Sequence, residues 1–314
     1  MALSRRRGLA ALLALLLLSG CGRIMPEDAE DTLDIYASFY PINALTELVT
    51  KDVPGVTVHC LVQPQDGCLR AYALSDWDGY LLAYAADAVV LGGRGLEQFE
   101  ARLYEMGEQG PAVIAAFTDA KLYNEGGKES SETESHWEGA NPHLYMSPEG
   151  AAQAARVIAK SLAELDPDHA QAYAENLERA ETRLAELATG MRETAQDAAG
   201  SPVFLLNEAL AYTALALGLE IKGWYPRESG AELSDNELAA CLEALSASEA
   251  RVVLIEKQAP TALAEALTEA GYAVARIDIL SGGRESLGIE GYFSAQQANA
   301  QAVAEAFADQ MENR

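Results

Sequence analysis

One stretch constrains the fold more than any other: "DPDHAQAYAENLERAETRLAELATGMRETAQDAA", from Asp166 to Ala199. It is rich in alanine and sparse in breakers, which predicts one long helix. On both sides of it, apolar runs of strand length alternate with helical patterns. Before it come "DTLDIYASFYPINALTELVT", a strand running into a helix, then the strand "VTVHCLV". Next are "SDWDGYLLAYAADAVVLGG", a helix leading to a strand at Ala88–Leu91, and the strand "PAVIAAF". After it, "SPVFLLNEA", "ARVVLIEKQ" and "YAVARIDIL" read as strands. The helical stretches "DNELAACLEALSAS" and "PTALAEALTEAG" fall between them, and "SAQQANAQAVAEAFADQMEN" closes the chain as a helix. Such alternation predicts parallel βαβ units. The chain therefore divides into two α/β halves, 33–165 and 200–314, joined by the helix at 166–199.

The N-terminus stands apart. "MALSRRRGLAALLALLLLSGC" puts three arginines before an apolar run too short for a comfortable bilayer span. It ends in Leu18-Ser19-Gly20-Cys21, which resembles a bacterial lipoprotein signal. That resemblance implies cleavage after Gly20, lipid on Cys21 and a membrane-anchored, exported protein; an ordinary secretory signal or an uncleaved anchor are the alternatives. Residues 21–32 read as a polar tether. The formal charge of −26 argues against nucleic acid and against docking on anionic lipid.

In open parallel sheets, ligands bind beyond the carboxyl ends of the strands. Those ends carry Asp66 and Cys68 after "VTVHCLV", Asn207 and Glu208 after "VFLL", Glu256 after "VVLI" and Asp278 after "VARI". His143, in "NPHLYMSPEG", precedes a helix start for which Ser147 is the expected N-cap, followed by Pro148 and Glu149. A thiol, an imidazole, an amide and carboxylates are donors of the kind that bind transition metals.

Nearly all of the chain from Leu33 to Phe307 resembles the solute-binding proteins of bacterial zinc and manganese ABC importers. The resemblance rests on "ASFYPINALTELV", "LVQPQDGCLRAYALSDW", "NPHLYMSPEGAAQAARVIAKSLAELDPDHAQAYAENLE", "VFLLNEALAY" and "ARIDIL". It implies two Rossmann-like lobes with parallel sheets, one long connecting helix, a metal in the cleft between the lobes and delivery to an ABC permease. His143 matches the family's second ligand and Asp278 its carboxylate. Cys68 and Asn207 fall where the family has histidines, with Glu208 beside the latter. The implied site is Cys68, His143, Asn207, Glu208 and Asp278, with Glu256 supporting it. The implied cargo is Zn2+ or another divalent transition metal, since a thiolate favours zinc over manganese. The histidine-rich loop frequent in the family is replaced by the acidic "NEGGKESSETESHWEGAN", read as a mobile loop.

Several positions have competing readings. Cys68 is a metal ligand, the disulfide partner of Cys60 or a free thiol without a role. Cys60 and Cys241 lie among apolar neighbours and are expected in the core. His59, His136 and His169 read as solvent-exposed. Trp224 and Tyr225 are placed near the cleft, and Glu256 is either a support for a ligand or a charge at the cleft edge. A cleft that holds another solute or nothing, in a structural or adhesin-like lipoprotein, is the rival function. A Cys68–His143 nucleophile and base is the enzymatic rival, without a local motif to support it.

Overall fold

The computed structural model describes residues 32–62, 69, 72–107, 110–118, 120, 122–123, 141–227, 230–280 and 288–312. The leader, Cys21, the tether before residue 32, Asp66, Cys68, His136 and the acidic stretch 124–140 lie outside them.

Among the described residues, eight strands form two parallel sheets of four. The first holds β1 (Leu33–Ala37), β2 (Val56–Cys60), β3 (Ala88–Leu91) and β4 (Ala112–Ala115), in the order β2-β1-β3-β4. The second holds β5 (Pro202–Leu205), β6 (Glu220–Trp224), β7 (Val252–Glu256) and β8 (Ala273–Ile277), in the matching order β6-β5-β7-β8. The inner strands β3 and β7 are buried along their whole length, which is why "AVVL" and "VVLI" read as unbroken apolar runs, the second closed by Glu256. The edge strand β6 alternates exposed and half-buried residues. Its sequence "EIKGW" has no apolar run, so sequence reasoning found only three strands in this half. The glycine there is needed for packing: a Cβ on Gly223 would lie 2.7 Å from the Phe204 ring.

The helices are α1 (Tyr40–Thr50), α2 (Asp76–Ala85), α3 (Glu100–Glu105), α4 (Pro148–Leu165), α5 (Ala170–Thr194), α6 (Leu210–Ala216), α7 (Asp235–Ala247), α8 (Thr261–Glu269) and α9 (Gly288–Glu312). The long linking helix is present as α5, flanked by 3-10 turns at Pro167–His169 and Gln196–Ala198. It buries Tyr173, Asn176, Ala180, Leu184, Leu187 and Met191, one stripe at helical spacing. Ser147 caps α4 as expected, its Oγ accepting from the Gly150 amide. α9 starts at Gly288, earlier than the stretch from Ser294 that the sequence pattern marks, and it packs on β8, α5 and α1. Because α9 reaches across, one continuous core runs from Ile35, Leu45 and Val90 to Leu205, Ile277 and Val303. A smaller cluster between β7, α7 and α8 contains Cys241, fully buried as expected. Burial pushes its thiol up to about 11.

Candidate metal site

The segment Asn141–Ser147 lies against the second half, and Asn141 ties it there. Its Nδ2 donates to the Glu208 carbonyl at 2.6 Å, and its carbonyl accepts from the Tyr212 hydroxyl at 2.7 Å. Asn141 is 1 % exposed. The donor role of Nδ2 sets the amide orientation, so Oδ1 is the acceptor facing the other way. Oδ1 lies 2.8 Å from His143 Nδ1 and 3.1 Å from the His143 amide nitrogen. His143 Nδ1 therefore carries the proton, and the neutral ring has its lone pair on Nε2. This is the tautomer a metal-binding imidazole needs, held by a partner on its other nitrogen. His143 itself is half-buried, just before the 3-10 turn Leu144–Met146.

The other predicted residues sit along the carboxyl edge of the second sheet. Asn207 follows β5 and is nearly buried; its Oδ1 accepts from the Ala209 amide at 2.9 Å. Glu208 comes next and is half-buried. Asp278 follows β8 and is 8 % exposed. Asn299 on α9 holds it by the backbone at both ends, and Oδ1 accepts from the Leu280 amide at 2.9 Å. Its Oδ2 is 3.8 Å from Lys257 Nζ, a side chain 60 % exposed. The structure thus joins His143 to the Asn207–Glu208 corner through Asn141, with Asp278 two strands away in the same sheet. Among the described residues no three of His, Cys, Asp and Glu converge closely enough to hold a metal. Cys68 lies outside those residues.

Glu256 lies between these positions at the end of β7 and is held in a buried ion pair. Its Oε1 accepts from Arg227 and from the Gly230 amide, and both side chains of the ion pair are essentially fully buried. It locks the loop after β6. That loop carries Tyr225 into the smaller core cluster, while Trp224 stays 37 % exposed at the sheet edge. Cys60 is half-buried rather than core, with its Sγ 3.5 Å from the Val62 carbonyl. His59 and His169 are not bare surface groups either. His59 stacks on Tyr36 and bonds Asp34 at 2.9 Å, and His169 bonds Asp166 at 2.8 Å.

Sequence reasoning missed Glu97. It sits where β1 and β3 lead their connections to opposite sides, the switch point of the first sheet. Its Oε1 accepts from Ser38 Oγ at 2.6 Å and from the Gly92 amide at 2.8 Å, and Oε2 from the Gly93 amide at 2.9 Å. It is 2 % exposed. Burial outweighs these three donors and pushes its carboxyl up to about 7. The signal available in sequence was a glycine pair ending a strand, "LGGRGLE", with a carboxylate close behind.

Two parallel sheets of like order with one long helix between them define a two-lobed α/β protein of the solute-binding kind. Residues 35–306 match the family described as "Zinc-uptake complex component A periplasmic", and the chain belongs to that family. A crystal structure of ZnuA is 26% identical, with a TM-score of 0.67, covering 88% of this chain and 99% of that one. The Zn(II)-bound ZnuA-like domain of Streptococcus pneumoniae AdcA is similar in fold at 23% identity and a TM-score of 0.72, covering 88% and 98%. So is the solute-binding protein FpvC of Pseudomonas aeruginosa in complex with Ni2+, at 23% and 0.73, covering 88% and 97%. No curated protein matches the sequence at a significant level.

Proposed function

We propose that this chain is the lipid-anchored, extracytoplasmic binding component of a metal importer. It captures a divalent transition metal, zinc in preference to manganese, and hands it to an ABC permease. The observation that carries this reading is the Asn141 amide, which ties His143 to the Glu208 corner and, by accepting from Nδ1, makes Nε2 the nitrogen that bears the ring's lone pair. Family membership and the ions in the titles of the similar structures support the same cargo class.

In this reading His143 Nε2, Asp278 Oδ2 and the Cys68 thiolate bind the ion, and Glu208 or the remaining lone pair of Asn207 Oδ1 completes the set. An imidazole, a thiolate and a carboxylate suit zinc. Lys257 neutralises Asp278 in the metal-free protein and moves into solvent when the cation arrives. The ligands must be deprotonated, so uptake releases protons and affinity falls as pH falls. Leu18-Ser19-Gly20-Cys21 supports lipid attachment at Cys21.

A second reading rests on Lys257. Its ammonium, 3.8 Å from Asp278, already supplies the positive charge a metal would bring. That suits a cleft that holds another solute or nothing, in a lipoprotein used for its surface. Zinc and manganese titration of the reduced, metal-free protein separates the two. Tight zinc binding that His143→Ala abolishes, and that Cys68→Ser weakens more for zinc than for manganese, supports the importer reading. Absence of binding, or His143→Ala binding like the wild type, favours the second.

A further inference from the structure

α2 is the helix whose exposed side the cargo site does not explain. It is seated through Gly79 and Leu82, its buried residues. A Cβ on Gly79 would lie 3.3 Å from Arg102 Nη2 and 3.7 Å from Met106, so the helix lies tight against α3 and the turn after it. The side facing away carries Trp77, Tyr80 and Tyr84, which are 70%, 56% and 77% exposed. Spacings of three and four residues put them in one row. Their rings touch in sequence: Trp77 stacks on Tyr80 at 5.8 Å between centroids, and Tyr80 lies 4.4 Å from Tyr84. Three contiguous exposed aromatic side chains on a chain of this kind mark a contact surface.

We infer that the Trp77–Tyr80–Tyr84 row is a membrane-contact stripe that rests in the headgroup zone of the bilayer and sets the orientation of the tethered protein. This rests on the proposed lipid at Cys21. Where the tether joins the fold argues for this occupant. Residues 21–32 span at most about 40 Å when fully extended, and they enter the fold at Leu33, the first residue of β1. The Asp34 amide donates to Asp87 Oδ2 at 2.8 Å, and the Asp87 amide donates to the Asp34 carbonyl at 2.9 Å. Asp87 lies three residues beyond Tyr84, so the aromatic row ends beside the point where the tether enters. A short tether brings that corner to the bilayer first.

Chemistry agrees with position. Trp and Tyr rings, apolar in body and polar at one tip, settle at the membrane–water boundary. α2 contains no Lys or Arg. Asp78 is turned back into the capping box with Ser75, and Asp76 pairs with Arg102. Attraction to anionic lipid is thus absent, and the contact depends on neutral headgroups and the acyl boundary. Such a contact is weak alone. It becomes effective because the lipid makes the encounter intramolecular.

The test uses full-length lipidated protein in phosphatidylcholine vesicles containing lipids brominated near the headgroup. The three tryptophans are Trp77, Trp137 and Trp224. In Trp137→Phe/Trp224→Phe protein, emission should shift to shorter wavelength and be quenched, with no loss as salt rises. Adding Tyr80→Ser and Tyr84→Ser should reduce the quenching. In Trp77→Phe/Trp137→Phe protein, Trp224 should stay unquenched, which also reports that the fold is intact. Unquenched Trp77 in protein whose Cys21 carries fatty acid by mass spectrometry overturns this inference alone. Unquenched Trp77 with no fatty acid on Cys21 overturns the inference and the anchor reading together. A dimer in sedimentation that Trp77→Ser/Tyr80→Ser dissociates, with no quenching on vesicles, makes the row a contact between copies and also overturns the inference.

Discussion

Asn141 restrains the proposed ligand His143 through a single side-chain amide. Its side chain bonds the Glu208 carbonyl on one side and His143 on the other. Asn141→Ala removes both restraints and leaves the imidazole free to adopt either tautomer. Zinc affinity should fall roughly 10–100-fold, the usual cost of losing the partner of a ligand histidine. The secondary structure should be unchanged by circular dichroism; an unaltered affinity would mean that His143 does not bind the ion. Glu97 makes a different residue-scale case. Its carboxyl is raised by burial to about 7, above the 4.5 of a free glutamate. Between those values the folded chain holds a proton that the unfolded chain has lost. Stability from this group is therefore complete below about pH 4.5 and declines as pH rises through 7. The shift corresponds to about 3 kcal/mol as an order of magnitude. Denaturant unfolding at pH 5 and pH 8 should show this loss in the wild type, and Glu97→Gln should remove it. Neither residue could be ranked from sequence, because each matters through partners supplied by distant segments. His143 and Asp278 were visible because they end or precede elements in recognisable stretches.

At the scale of elements, "SPEG" was legible as a helix start, and Ser147 does cap α4. What the pattern did not reveal is the task of Gly150. A Cβ there would lie 2.1 Å from the Leu144 carbonyl oxygen and 2.8 Å from its carbon, both backbone atoms. The 3-10 turn that follows His143 folds directly onto the first turn of α4, and only glycine leaves room for it. Gly150→Ala must push that turn away, at a cost of roughly 1–3 kcal/mol for overpacking. The displacement should also weaken zinc binding. Gly190→Ala is the matched control, since a Cβ there meets nothing within 4 Å and should be neutral or slightly stabilising. Equal stability of the two variants by urea denaturation would contradict the close approach. Strand β6 shows the limit of element-level reading from the other direction. An edge strand with a lysine and a glycine has little apolar pattern to read, and its place comes from pairing with β5.

On the scale of the whole molecule, two α/β halves and their linking helix could be read from alternating periodicities. Their union could not. It is made by polar side chains whose partners lie more than a hundred residues away. Tyr292 and Gln296 on α9, both 0 % exposed, donate to the Tyr145 carbonyl at 2.7 and 3.2 Å. Asn176 on α5 donates to the carbonyls of Val49 and Lys51 at 2.8 and 2.9 Å. Tyr40 on α1 donates to the Gly288 carbonyl at 3.0 Å. Unfolding either half alone would strip apolar area from the common core and leave these buried groups without partners, at about 1–3 kcal/mol each. The two sheets should therefore unfold together. Calorimetry should give one transition in which the calorimetric and van't Hoff enthalpies agree. Tyr292→Phe deletes one donor while Gln296 still serves the Tyr145 carbonyl. It should lower the midpoint by a few degrees, for a loss of about 1 kcal/mol, without splitting the transition. Two resolved transitions in the wild type would show that the halves are energetically separate and that the polar seam contributes little.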